Sequence, residues 1–451
     1  MIATRFGEFI ASLPLRELPP AVVDAARLRV LDTLSAVLHG VRGGHHEELV
    51  AVFDTPGRAP VLGCNATRSL RDAIVVNAAL AHATYFEDGS RHTGGHPASA
   101  VIPAALAVAH AQAASGRDLV NAVVAGYEVF LRLGRAIYPS TVKRGFQSTA
   151  ILAGPASAEA AASVLGLDAR AAAAAVAIGC SQGAGLKEAL KASASQPLQI
   201  GRSSEGGVVA AQLAARGVAG PLEAIERGFL IGFADAADGA GVLAGLGDDW
   251  RIFETYLKTQ GGCRGNHAPV DAVVELVGRE RLAADRIARI DVAVDQVTLA
   301  ASIETPADAG QAQFSIGFSI AVALVAGDVT PERFSETWLA DPRIRALMAR
   351  IDVVADAALD VGYPEQRGAR VRITTVDGKV RQHAIDRARG EPEQPLSAEE
   401  VVAKFRAIAH PMLGRSAAQA VTEQVLRLET LDSVAPLMAA LRRADSTRKV
   451  A

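Results

Sequence analysis

The chain has 451 residues, half of them apolar but only 4% aromatic, and a formal net charge of −3 at neutral pH. That length accommodates two or three cores, and an alanine-rich apolar fraction with so few aromatics favours closely packed helices over a β-sandwich. A near-neutral chain with no basic block excludes nucleic acid as a partner, because neutralising phosphates needs a concentrated Lys/Arg face.

At the N-terminus Glu8 and Pro14 interrupt the sequence before an apolar signal core can form. Pro103 and His110 break the longest apolar run before it reaches the roughly 18 residues a membrane span needs. No membrane partner is expected. Residues Val22 to His39 put Val23, Leu31, Leu34, Val37 and Leu38 on one helical stripe, with Gly40 placed to end the helix. Ala/Leu-rich helical patterns recur through 77–111, 119–133, 149–165, 169–178 and 207–216 without a repeat period. Cys64, Cys180 and Cys263 are scattered and contain no CxxC pair. They argue against a disulfide framework or a thiolate zinc site, and suit a reducing cytoplasm.

The texture changes after Asp271. Ile290, Val292 and Val294 alternate with Asp291, Ala293 and Asp295 as a strand, and Val371, Ile373 and Val380 around Asp377-Gly378 read as a β-hairpin. Between them Asp341-Pro342 opens a helix, and Ser397 to Glu400 forms a capping box for a final one after the polar linker 389–395.

The densest concentration of chemistry lies in YFEDGSRHTGGHPASAVIPAA, Tyr85 to Ala105. Glu87, Asp88, His92 and His96 fall close together, and Gly89, Gly94 and Gly95 free the backbone to turn several side chains toward one point. The residue types also suit a divalent metal, but nothing fixes His92 and His96 on one helix face, so no metal is expected.

This stretch, together with GYEVFLRLGRA (126–136), RGFQST (144–149), QPLQIGR (196–202), CRGNHAPVDA (263–272), QFSIGFSIAVAL (313–324) and LADPRIRALMARI (339–351), resembles the MmgE/PrpD family. Its members include 2-methylcitrate dehydratase, cis-aconitate decarboxylase and iminodisuccinate epimerase. The resemblance implies a mainly α protein: a large all-helical domain built from both ends of the chain, 1–270 and 397–451, and a smaller inserted α/β domain, 271–396. It further implies a homodimer that uses no cofactor and acts on a small-molecule substrate.

Several positions depart from the family pattern. Tyr85 stands where the family has an aspartate, Gln147 where it has a histidine, and Gln196 and Gln199 where KPLH supplies a lysine and a histidine; Phe318 replaces a tyrosine. Glutamine does not titrate and phenylalanine has no hydroxyl, so size is retained while acid–base chemistry is lost. Replacing cationic groups lowers the positive potential, which implies a less anionic ligand. The expected catalytic residues are His96, whose imidazole titrates near neutrality, with Asp88 or Tyr85 assisting. The expected binding residues are Glu87, His92, Gln147, Gln196, Gln199, Arg202, Arg264, His267 and Phe318. Arg202 has a salt bridge to Glu205 as its alternative role, and Arg264 with His267 a hydrogen-bond network. Tyr85, His96, Gln147, Gln196 and Phe318 are expected to line one cleft. The expected activity is that of a lyase or isomerase transferring a proton next to a carbonyl or carboxyl. A non-catalytic binding homologue and a 2-methylcitrate dehydratase-like hydro-lyase are the alternatives.

Overall fold

The computed structural model describes residues 1–15, 17–191, 195–235 and 239–442, and the chain is mainly α. It divides into two compact units. One comprises Met1–Ala83, Glu87–Thr255 and Ser397–Ala451, and the other Thr84–Phe86 with Tyr256–Leu396.

The first unit is helical: α1 (Ile2–Ser12), α2 (Pro20–Arg42), α3 (Leu70–His82), α4 (Pro97–Ala111), α5 (Gly116–Ile137), α6 (Ser148–Val164), α7 (Ala169–Gly179) and α8 (Gln196–Ala214). Helix α8 packs against α6, α3 and α7, and α6 also packs against α5 and α4. The facing residues are small. Most alanines and glycines along α6, α7 and α8 are buried, so the helices approach closely and gain dispersion contact instead of aromatic bulk. Reciprocal capping boxes fix the start of α5, through Ser115 and Asp118, and of α12 below.

Two expectations require correction. Gly40 does not end α2, which continues to Arg42. A Cβ at Gly40 would stand 2.5 Å from the Leu80 carbonyl oxygen, so this glycine is there to let α2 lie against α3. The helical unit is also not all-helical. A hairpin of β1 (Ala59–Val61) and β2 (Ala66–Arg68) interrupts it, with strands too short to leave an alternating pattern.

The second unit holds α9 (His267–Glu280), α10 (Ile316–Ala326) and α11 (Pro342–Met348) around a four-stranded sheet. Its strands are β3 (Ile287–Val294), β4 (Ile351–Ala355), β5 (Ala369–Thr375) and β6 (Val380–Ile385), in the order β4-β3-β5-β6. Strand β4 is parallel to β3, and the other pairings are antiparallel. Ile290, Val292, Val371 and Ile373 bury one face of the sheet against Val273 and Leu276 of α9 and Ile320 of α10. Asp341 caps α11 by accepting from the Arg343 N–H. The chain then returns to the first unit through α12 (Ala398–Leu413), capped by Ser397 and Glu400, and α13 (Arg415–Leu426). Helix α12 lies on α2, where Lys404 meets the fully buried Asp32 at 2.6 Å. Among the described residues no helix is long and apolar enough to cross a membrane.

Glu159, in the middle of α6, is fully buried, and neither carboxylate oxygen makes a hydrogen bond of normal geometry. Burial pushes its pKa well above the usual carboxylate range, with the Val176 peptide opposing weakly. A raised folded pKa gives stability that is complete below the unfolded pKa and is lost as pH rises toward the folded one. Glu159→Leu should therefore gain roughly 1–3 kcal/mol more over wild type at pH 8 than at pH 5. Urea unfolding at the two pH values measures this, and an equal difference at both would exclude it.

Candidate active site

The loop between α3 and α4 is organised by Asp88. This residue is fully buried, and its Oδ1 accepts the Ala98 N–H at 3.0 Å in the first turn of α4, while Oδ2 accepts the Tyr127 hydroxyl at 2.8 Å from α5. Burial raises its pKa to about 7, against the lowering effects of Arg29, Tyr127 and Ala98. Both carboxylate oxygens are engaged by the scaffold. The loop is closed at its far end by the Ser90 N–H donating to the Gly95 carbonyl at 2.9 Å.

His96 occupies the position just before α4 but makes no side-chain cap there. Its Nδ1 lies 2.6 Å from the Asp88 carbonyl oxygen and 3.6 Å from Glu87 Oε1, while its peptide N–H donates to Thr149 Oγ1 at 3.1 Å. A carbonyl only accepts, so Nδ1 carries the hydrogen, and in that tautomer the basic lone pair is on Nε2.

A histidine not anticipated from the sequence completes the cluster. His82 ends α3, is 1% exposed, and places Nδ1 2.6 Å from Glu87 Oε1; its ring lies edge-on to that of His96 with centroids 5.2 Å apart. Gln147, immediately before α6, brings its amide nitrogen to 3.3 Å from His82 Nε2. His82, Glu87, His96 and Gln147 thus converge from α3, the loop and α6. His92 sits on the Ser90–Gly95 turn, half-buried, with its peptide N–H donating to Ser90 Oγ at 3.3 Å.

Gln196 and Gln199 begin α8, Gln196 buried and Gln199 half-buried, with the Gln199 amide donating to the Leu186 carbonyl at 3.4 Å. Arg202, one turn on, is largely solvent-exposed and lies 3.4 Å from Glu205. That pairing is the surface salt bridge given as its alternative role.

The remaining candidates lie in the α/β unit. Tyr85 adopts a left-handed backbone with φ of 48°, a conformation that costs a residue of this kind about 1–2 kcal/mol. Its ring packs edge-on against Phe314, and its carbonyl accepts from Lys258 Nζ at 2.6 Å. Lys258, also unanticipated, is fully buried and donates to the Gly262 carbonyl at 3.2 Å as well. Phe318 has no exposed surface and packs on Phe334 within the core, its hydroxyl-free ring fitting an apolar environment. Arg264 is committed to a network: Nε and Nη2 donate to Glu391 Oε1 at 2.9 and 2.7 Å, Nη1 donates to His267 Nδ1 at 2.9 Å, and the guanidinium lies over Tyr256.

An imidazole and carboxylate cluster is thus set in a helical unit that both chain ends help to build, and comparison with known families assigns the chain to the MmgE/PrpD proteins. The chain belongs to this family: the MmgE/PrpD N-terminal domain matches residues 4–241 and the MmgE/PrpD C-terminal domain residues 262–430. Cis-aconitate decarboxylase of Aspergillus terreus is 27% identical, with 97% of this chain and 95% of that protein covered. A cis-aconitate decarboxylase-like protein of Aspergillus oryzae is 26% identical over 97% of this chain and 96% of its own length. The human cis-aconitate decarboxylase is 26% identical over 98% and 94%. The family context is therefore that of lyase-type enzymes.

Asp88 yields a test of the loop's anchoring. Because its folded pKa of about 7 exceeds the ordinary 3.8, the stability linked to its proton is complete below pH 4 and declines as pH rises to 7. Asp88→Asn, which mimics the protonated form, should flatten that decline, worth on the order of 2–4 kcal/mol between pH 4 and 8. Thermal or urea unfolding across this range reads it, and a variant retaining the full wild-type slope would assign the pH dependence elsewhere.

Proposed function

We propose that the protein is a lyase- or isomerase-type MmgE/PrpD enzyme that transfers a proton next to a carbonyl or carboxyl group on a small, weakly anionic metabolite. The observation that carries this reading is the 2.6 Å contact of His96 Nδ1 with the Asp88 carbonyl, which leaves Nε2 as the basic atom. In the reaction His96 Nε2 takes a proton from the carbon beside the carbonyl, and the C–H electron pair moves into an enolate. Elimination follows if those electrons expel a group from the neighbouring carbon, and isomerisation if the carbon is reprotonated on another face.

Glu87 orients the two imidazoles, accepting from His82 Nδ1 and standing within reach of the His96 ring. Asp88 acts as a positioning residue through its carbonyl. Tyr85 is the further candidate for proton handling, and its phenol would need substantial tuning from its usual pKa of about 10 to act as a base. His92, Gln147, Gln196 and Gln199 are the candidate binding groups on the helical unit. Arg202, Arg264, His267 and Phe318 have weaker claims as ligand contacts, given the partners and burial described above. We further propose a cytoplasmic homodimer acting without a cofactor.

Cis-aconitate, named by the relatives, is the first substrate to try. We expect it to fail. Glutamine at 147, 196 and 199 supplies no titratable group, and loss of a positioned acid–base group costs roughly 10² to 10⁴ in rate. Purified protein should show little or no turnover of cis-aconitate, 2-methylcitrate or iminodisuccinate beside an active relative as control. Robust conversion of any one would refute the inferred change of substrate.

His96→Gln tests the proton-transfer role. It should retain the fold and hold ligand affinity within about tenfold while abolishing turnover of the native substrate, because it removes titration but keeps hydrogen-bonding capacity. Undiminished turnover would remove His96 from the mechanism. If mass spectrometry of cell-extract metabolites incubated with wild-type protein shows binding without conversion, the non-catalytic reading replaces this one.

A further inference from the structure

Three glutamine side chains in the helical unit end in buried carbonyl oxygens without a hydrogen-bond donor: Gln147 Oε1, Gln196 Oε1 and Gln199 Oε1. Gln147 and Gln196 are 7% and 3% exposed, so water does not compensate them freely. An unmet buried acceptor of this kind is unfavourable until a donor reaches it.

The loop following α7 draws the glutamines together. The Gln147 peptide N–H donates to the Gly185 carbonyl at 3.1 Å, and the Gln199 amide donates to the carbonyl of the next residue, Leu186. A Cβ at Gly185 would stand 2.3 Å from Gln199 Oε1, so only glycine lets that amide lie against the loop. Gln196 is one helical turn before Gln199 on α8.

Neighbouring groups settle which end of the Gln147 and Gln199 amides is which. The Glu87 carboxylate can only accept, so His82 Nδ1, 2.6 Å away, carries its hydrogen. In that tautomer Nε2 accepts, and it takes an N–H from the Gln147 amide nitrogen at 3.3 Å. The Gln147 oxygen is thereby turned away from His82 with its lone pairs unmet. Donation to Leu186 fixes Gln199 in the same way. A ligand carboxylate set against these oxygens would place acceptor on acceptor, whereas an N–H or O–H would satisfy them.

Resting on the reading of this cluster as the substrate site, we infer that the ligand end facing Gln147, Gln196 and Gln199 is an uncharged donor group, a primary carboxamide or a hydroxyl, in place of a carboxylate. The site thus selects against dianions by unmatched acceptors, as well as by weaker positive potential.

Three four-carbon probes that differ only at one end test this: succinate, succinamate and 4-hydroxybutanoate, titrated calorimetrically into the full-length protein. At least one donor-bearing probe should bind about tenfold or more tightly than succinate, and which one does so separates carboxamide from hydroxyl recognition. Gln147→Met and Gln196→Met, singly and together, keep side-chain length but remove the amide; they should shrink the preference to less than about threefold, with circular dichroism confirming the fold. The wild-type ranking decides even if the double variant does not fold. Succinate binding as tightly as both donor probes, no saturable binding of any probe, or an intact preference in the methionine variants overturns the inference. The measurement needs no turnover. A donor preference alongside full activity in His96→Gln would keep this specificity and discard only the proton-transfer reading.

Discussion

The buried carboxylate of Asp88 is the constraint on which the site depends. It joins the first turn of α4 to the hydroxyl of Tyr127 on α5, and the main-chain carbonyl of the same residue meets the ring of His96. A loop with several glycines would otherwise sample many conformations, and ordering it costs backbone entropy residue by residue. Asp88 offsets that cost with hydrogen bonds made where water is absent and each is electrostatically stronger. The same burial that strengthens those bonds raises its pKa. Anchoring and proton affinity therefore have one origin.

From this anchor the roles separate. The two imidazoles are held differently, His82 by a carboxylate and an amide, His96 by a main-chain carbonyl. A carbonyl fixes the His96 tautomer, and the Glu87 carboxylate stands 3.6 Å from the same nitrogen. In the α/β unit the strained Tyr85 backbone is held by Lys258 and Phe314. Strain of this kind persists only where surrounding contacts over-determine it.

Much of this was legible in the sequence, for local reasons. The crowding of Glu87, Asp88 and His96 marked the loop, and the motif departures at 147, 196 and 199 marked the glutamines. Capping signals at Asp341 and Ser397 named real helix starts because each is a contact between residues close along the chain, Arg343 for the first and Glu400 for the second. What escaped was tertiary. His82 reads as one polar residue near the end of an alanine-rich helix, and only folding brings Gln147 to its ring. Lys258, in YLKTQGGC, carries no motif of its own, and its significance is that it is buried. Gly40 was misread because a glycine permitting helix contact and one ending a helix look alike in one dimension.

The return of α12 to α2 has a consequence for how the chain is made. Asp32 emerges from the ribosome long before Lys404, its partner, and the whole α/β segment must be synthesised between them. Until then a carboxylate destined for complete burial lacks its Lys404 partner and has Arg29, on its own helix, as the nearby cation, and the face of α2 that receives α12 stays uncovered. Contacts this distant along the chain carry a loop-closure cost and form late. The nascent helical unit is thus held open while its insert is completed, a period in which apolar surface is exposed to chaperones and to neighbouring chains.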